Sequence, residues 1–248
     1  MEVHHHPHVE KKNFKEYFLE FLMIFLAVTM GFFAESLREH LNDQSKEKEY
    51  MHSLIADLKT DQDVLTQHIS HVKSGISMMD SLIAFLDTPS LIANNSGQLY
   101  YLARLAPRLT PLSTNNRTFE QLKNSGNFRL IRDLNTSNKI MDYYEKFPLI
   151  HLLESINETE FTEYKKMAAK IFNPAVLVSM EEATGGVKRI SGNPLLRTTD
   201  NELLQELSVY SVYMHGTKTG MLAADMEIKT AGAALIEYLQ KEYHLESE

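Results

Sequence analysis

The sequence predicts an all-α protein: one N-terminal transmembrane helix continuing into an elongated antiparallel helical bundle. Three observations carry this. An uncharged apolar run lies near the start, from Phe21 to Ala34. Long stretches repeat apolar residues at alternating spacings of four and three. Glycine and proline are scarce, at 10 and 7 of 248 residues, which argues against a turn-rich β fold.

The apolar run comes first. Extended to Tyr17 and Leu37 it gives about 21 helical residues, roughly 31 Å at 1.5 Å per residue, which matches a hydrocarbon core of about 30 Å. Tyr17 and Phe18 sit where an interfacial aromatic belt belongs. A cleaved signal peptide needs small residues before its cut, and Phe32 and Phe33 precede Ala34. A buried core helix is the competing reading, because the uncharged run alone is short for a span. The predicted organisation is a His- and Lys-containing tail over 1–16, a transmembrane helix over 17–37 and a helical bundle over 38–248. Lys11, Lys12 and Lys15 flank the N-terminal side closely, which favours a cytoplasmic N-terminus.

Glu20, Ile24, Ala27, Gly31 and Ala34 follow the same alternating spacing along the span, and so does Arg38 beyond it. Ala27 and Gly31 form a small-xxx-small pair that lets two helices approach closely in lipid. The expected partners are therefore the lipid bilayer and a second copy, giving a homo-oligomer through the span. Glu20 points into this seam. Its shallow depth suits reaching the headgroups or pairing with Lys12 or Lys15, and the alternative is a carboxylate lining an ion or proton pathway.

Met51, Ile55, Leu58, Gln62, Leu65, Ile69, Val72, Ile76, Met79, Ile83 and Leu86 form the next seam, with ten of eleven apolar. No proline falls between Val9 and Pro89, so the span is expected to run on into this helix through Leu37 and Leu41. Pro89, Asn94, Asn95 and Gly97 mark a break. Short helices are expected at Gln98–Leu105 and Phe119–Ser125. The second is capped by Thr118 or Asn116, with Gly126 suited to the left-handed position that ends it. A long helix follows from Thr136 to Phe172, kinked or divided by Pro148, with Glu154 and Asn157 interrupting its seam. Residues 173–199 are the least regular, with a short helix at Ala175–Ala183. Asp200 caps the last helix, whose seam reads Leu203, Leu207, Tyr210, Met214, Thr217, Met221, Ala224, Ile228, Ala231, Leu235 and Tyr238.

The chain resembles an uncharacterised family of single-pass membrane proteins from Bacteroidetes-type bacteria. The resemblance rests on Phe25-Leu-Ala-Val-Thr-Met-Gly31, Lys46-Glu-Lys-Glu-Tyr50 and Leu54-Ile-Ala-Asp-Leu-Lys-Thr-Asp61. It continues through Thr118-Phe-Glu-Gln-Leu-Lys-Asn-Ser-Gly126, Leu130-Ile131 and Tyr143-Tyr144, and spans residues 13–145. It implies a membrane-anchored helical protein and carries no activity with it. The expected location is a bacterial inner membrane, with the C-terminal domain periplasmic.

Chemistry is sparse. Formal net charge is −8, and residues 1–34 account for only −1 of it, so the domain repels nucleic acid. The absence of cysteine excludes disulfides and thiolate chemistry. His4, His5, His6 and His8 are candidate metal ligands, but a tail without supporting hydrogen bonds makes a weak and adaptable site. His68 and His71 lie three apart on one helix with no third ligand, and read as a solvated flank. Thr184-Gly-Gly-Val-Lys-Arg189 lacks the spacing of a phosphate loop. Tyr143 and Tyr144 read as core. No nucleophile–base pair emerges, and no cofactor is expected. The sequence thus implies a non-enzymatic scaffold or a part that binds a still unknown protein partner.

Overall fold

The first helix, α1, runs without interruption from Phe14 to Leu86, joining the apolar run and the seam after it as the lack of proline implied. The computed structural model describes residues 13–245, and every element among them is helical apart from one isolated bridge between Glu181 and Val187. By compactness the chain divides into Met1–Tyr50 and Met51–Glu248. Each unit is considered by itself.

In the first unit the start of α1 carries its apolar side chains outward. Phe32 and Phe33 are 74% and 72% exposed, and Ile24 is 65% exposed. Thr29 donates its hydroxyl to the Phe25 carbonyl at 2.7 Å, so it presents no unsatisfied donor. That suits an apolar medium, where a lone hydroxyl is costly.

Among the described residues the second unit adds six α-helices: α2 (Ile92–Leu105), α3 (Arg117–Asn124), α4 (Leu134–Tyr144), α5 (Phe147–Ile171), α6 (Pro174–Ser179) and α7 (Asn201–Glu242). Several starts follow local chemistry. Asp200 accepts from the Glu202 and Leu203 amides and caps α7. Asp133 does the same for α4 through Asn135 and Thr136. Pro148 sits in the first turn of α5, so the long helix expected over 136–172 is two helices, divided at Glu145 and Lys146. Gly126 takes the left-handed conformation after α3, with φ +70°.

Other boundaries move. The break expected at Asn94–Gly97 lies inside α2, where Asn95 alone leaves helical geometry. Gly97 is no turn residue. A Cβ there would collide with the Gly192 carbonyl, so its bareness admits the 173–199 segment against α2. That segment is held by tyrosine. Tyr100 donates to the Leu195 carbonyl at 3.0 Å and accepts from the Asn173 amide at 2.9 Å. The short helix within it ends at Ser179, earlier than the sequence implied.

The core around Leu82, Leu99, Tyr164, Ile171 and Leu207 joins α1, α2, α5 and α7. α7 packs most closely along α5, and meets α1 through side chains. Gln62 reaches the Lys229 carbonyl, His68 reaches Asp225, Asp80 reaches His215 and Asp87 reaches Ser208. Partner numbers fall along α7 as they rise along α1. The same opposed order links α4 and α5 to α7, through Thr136–Tyr238, Lys146–Glu227 and Glu160–Thr217.

Both long seams are turned one position from the sequence reading. On α1 the buried line is Met51, Leu54, Leu58, Asp61, Leu65, His68, Val72, Gly75, Met79, Leu82 and Leu86. Ile69, Ile76 and Ile83 lie on its half-buried flank. On α7 the line is Leu204, Leu207, Ser211, Met214, Lys218, Met221, Asp225, Ile228, Gly232, Leu235 and Leu239. At the shifted positions Ile69 and Ile76 give way to His68 and Gly75, and Tyr210, Ala224 and Ala231 give way to Ser211, Asp225 and Gly232, while Ile55, Ile83, Leu203 and Tyr238 give way to leucine. His68 faces Asp225 and Gly75 faces Lys218.

Candidate functional site

The polar layers between α1 and α7 converge on the connection from α2 to α3, residues 106–116. His68 and Asp225 are 5% and 0% exposed, and His68 Nδ1 lies 2.8 Å from Asp225 Oδ2. His68 Nε2 lies 2.9 Å from the Thr110 carbonyl. A carbonyl and a carboxylate each need an N–H, so the ring is an imidazolium. Burial opposes that charge, but the Asp225 hydrogen bond and charge, with the Thr110 carbonyl, outweigh it and hold the His68 pKa above its ordinary value.

One layer along, Gly75 stands against Lys218. The Lys218 side chain lies alongside it at ordinary contact distance, and its Nζ donates to the Arg108 carbonyl at 2.8 Å. Burial lowers the Lys218 pKa to about 8, with Glu160 pulling the other way. In the opposite direction Gly232 makes space for Gln62 and the Tyr143 ring. Asp61 is fully buried and accepts the Asn115 amide at 2.6 Å. Burial first, then the charge of Asp57, raise its pKa to about 6 against the pull of that amide. Its second oxygen and the hydroxyls of Tyr143 and Tyr144 are buried without partners among the described residues. Glu154, which the sequence reading took as an interruption, accepts the Leu112 amide at 2.8 Å.

The connection is thus strapped at four main-chain groups by four ionisable side chains. The two cations, His68 and Lys218, take the carbonyls of Thr110 and Arg108. The two carboxylates, Glu154 and Asp61, take the amides of Leu112 and Asn115. Asp57 extends the strap. It accepts the Thr118 amide at 2.9 Å and hydroxyl at 2.6 Å, capping α3 from another helix. Asn116 holds the cap position but makes no side-chain cap bond.

This arrangement fixes a loop. Both His68 nitrogens are occupied, so it has no lone pair for proton abstraction or metal ligation, and His71 stands apart on the exposed face. The reading of His68 as a solvated flank is corrected: its partner is Asp225. No group of three or more His, Cys, Asp or Glu suited to a metal ion occurs among the described residues. His4, His5, His6 and His8 lie outside the described residues.

Glu20, Ile24, Ala27, Gly31 and Ala34 all fall on the exposed start of α1, within an arc of roughly 80° at 3.6 residues per turn. Apart from its chain neighbours and its own helix backbone, no atom would lie within 4 Å of a Cβ at Gly31. Tyr143 and Tyr144 are core, in a cluster in which Phe119 stacks on Tyr144 at 3.9 Å and Phe147 meets Tyr143 edge-on.

The straps were missed because each charged residue looks like surface when read alone. A signal was present at the heptad period: Asp61, His68 and Gly75 on one helix, and Lys218, Asp225 and Gly232 on the other. No protein family, curated protein or solved structure matches the chain.

Proposed function

We propose that the chain is a membrane-anchored, self-associating helical scaffold or partner-binding, receptor-like protein of the bacterial envelope, without enzymatic activity. One observation carries the anchor: the apolar start of α1 is long and apolar enough to cross a bilayer, and none of it is buried. Leaving a dozen large side chains in water would cost on the order of 20 kcal/mol relative to burying them. The resemblance to single-pass membrane proteins points the same way. The domain that follows is an antiparallel bundle, a reading supported by the opposed order of side-chain pairs between α1 and α7. Lys11, Lys12 and Lys15 close to the N-terminal side of the span favour a cytoplasmic N-terminus and a periplasmic domain.

The bare face at Ala27 and Gly31 is the association seam. In nanodiscs or detergent the protein is expected to be larger than a monomer by mass measurement, and Gly31→Leu to be monomeric. A monomeric wild type refutes the seam. Recovery of the intact protein in the aqueous fraction without detergent refutes the anchor itself. Protease access to the C-terminus in spheroplasts reads the orientation. Proton flux into liposomes separates this reading from a Glu20-lined pathway: flux above background that Glu20→Gln abolishes would replace the scaffold by the pathway.

A further inference from the structure

We infer that the second unit carries a binding site for a compact amphiphilic carboxylate, in the cavity between α2, the strapped connection, α5 and α6. The inference goes beyond the proposed function and holds whether or not α1 lies in lipid. It is an open cleft of about 310 Å³, at the small end of the range used by organic ligands, and apolar surface dominates its lining. Its walls include Phe161, Ala168, Phe172 and Leu177.

Its charges are all of one sign. Among the described residues, Arg104, Arg108 and Lys165 are the only charged side chains that line it, in a chain whose net charge is −8. Two of them are partly engaged. Arg104 pairs with Glu181 at 2.8 Å, and the Lys165 ammonium lies 4.5 Å from the Phe161 ring centre. The Arg108 guanidinium has no hydrogen-bond or ion-pair partner among the described residues. Its main chain, in contrast, is fixed, because the Arg108 carbonyl receives the buried Lys218 ammonium. An exposed arginine with an unengaged guanidinium beside an apolar cleft matches a ligand with a carboxylate head and a short aromatic or aliphatic body. Arginine meets a carboxylate through two parallel N–H donors, and the body displaces water from the apolar walls.

The probe is 4-phenylbutyrate, titrated calorimetrically into the full chain in nanodiscs, with empty nanodiscs as the blank. Its uncharged amide, 4-phenylbutanamide, tests the charge, and acetate tests the body. The expected result is saturable binding of the acid, with amide and acetate each about tenfold weaker or more. Arg108→Gln is expected to weaken the acid about tenfold and leave the amide unchanged, since it removes the charge and spares the carbonyl that Lys218 holds. Ala168→Leu fills the chamber and abolishes binding of both. Ala169→Leu, at an exposed lining position, checks the same point should Ala168→Leu disturb the fold. Absence of acid binding, equal binding of acid and amide, or undiminished binding in both filled variants overturns the site.

Discussion

His68 on α1 and Asp225 on α7 form a buried ion pair at 2.8 Å, 157 residues apart in sequence, and the imidazolium holds the Thr110 carbonyl on its other side. The pair joins two long helices and a loop at one point. Its value is asymmetric: the intact pair contributes little beyond an apolar substitute, whereas breaking it strands a charge. Asp225→Ala is expected to cost about 3–5 kcal/mol by urea unfolding, and His68→Leu added to it to recover part of that loss.

The same pair sets a pH dependence. The folded pKa of His68 is raised above the ordinary 6.5, so the folded state binds the proton more tightly than the unfolded one. Its stabilisation is fully present below 6.5 and is lost as pH rises through the raised folded value. Urea midpoints across that window should fall in the wild type, and Asp225→Ala should abolish that fall.

Asp61 works against the fold at neutral pH. Its pKa is raised from 3.8 to about 6, so the unfolded chain releases the proton first and stability falls as pH rises between those values. Above about 6 the full penalty remains. Asp61→Asn keeps an oxygen for the Asn115 amide and removes the buried charge. It should stabilise by about 1–2 kcal/mol at pH 7.5 and by nothing near pH 3.5, as read from paired unfolding curves.

Two glycines on facing helices should respond to alanine with opposite signs. At Gly75 a Cβ meets Lys218 Nζ at 3.7 Å, an ordinary contact, so Gly75→Ala gains helix propensity of about 0.5–1 kcal/mol. At Gly232 a Cβ would lie 2.5 Å from Gln62 Nε2 and 3.1 Å from the Tyr143 ring, so Gly232→Ala costs about 1–3 kcal/mol. Thermal midpoints moving in the same direction would contradict this account of the layers.

Tyr100→Phe removes a hydroxyl that both donates to Leu195 and accepts from Asn173. A loss of about 1–2 kcal/mol is expected. Amide exchange at Asn173 should quicken while the centre of α5 stays protected.

Much of the helical organisation was legible because its signals are local. Asp200, Gly126 and Pro148 act on residues within a turn of themselves, and an uncharged run needs no partner to be recognised. The rotation of the two seams was not legible. A hydrophobic pattern favours Ile69 over His68 and Ala224 over Asp225, since a lone charge is costly to bury. That cost is offset only by a partner on another helix, and periodicity along one helix does not contain the partner. The straps were invisible for the same reason. They act on main-chain groups, which every residue type possesses, so no side chain in 106–116 announces them.

The cap that Asp57 places on α3 bears on the order in which the chain assembles. Eight residues make too short a helix to persist in water unaided. Its orphan amide and hydroxyl at Thr118 are met by a carboxylate that leaves the ribosome 61 residues sooner. The segment around α3 therefore gains its shape by docking on a helix already made, and a chain cut short before Arg117 loses α3 while keeping the surface that α3 would have folded onto.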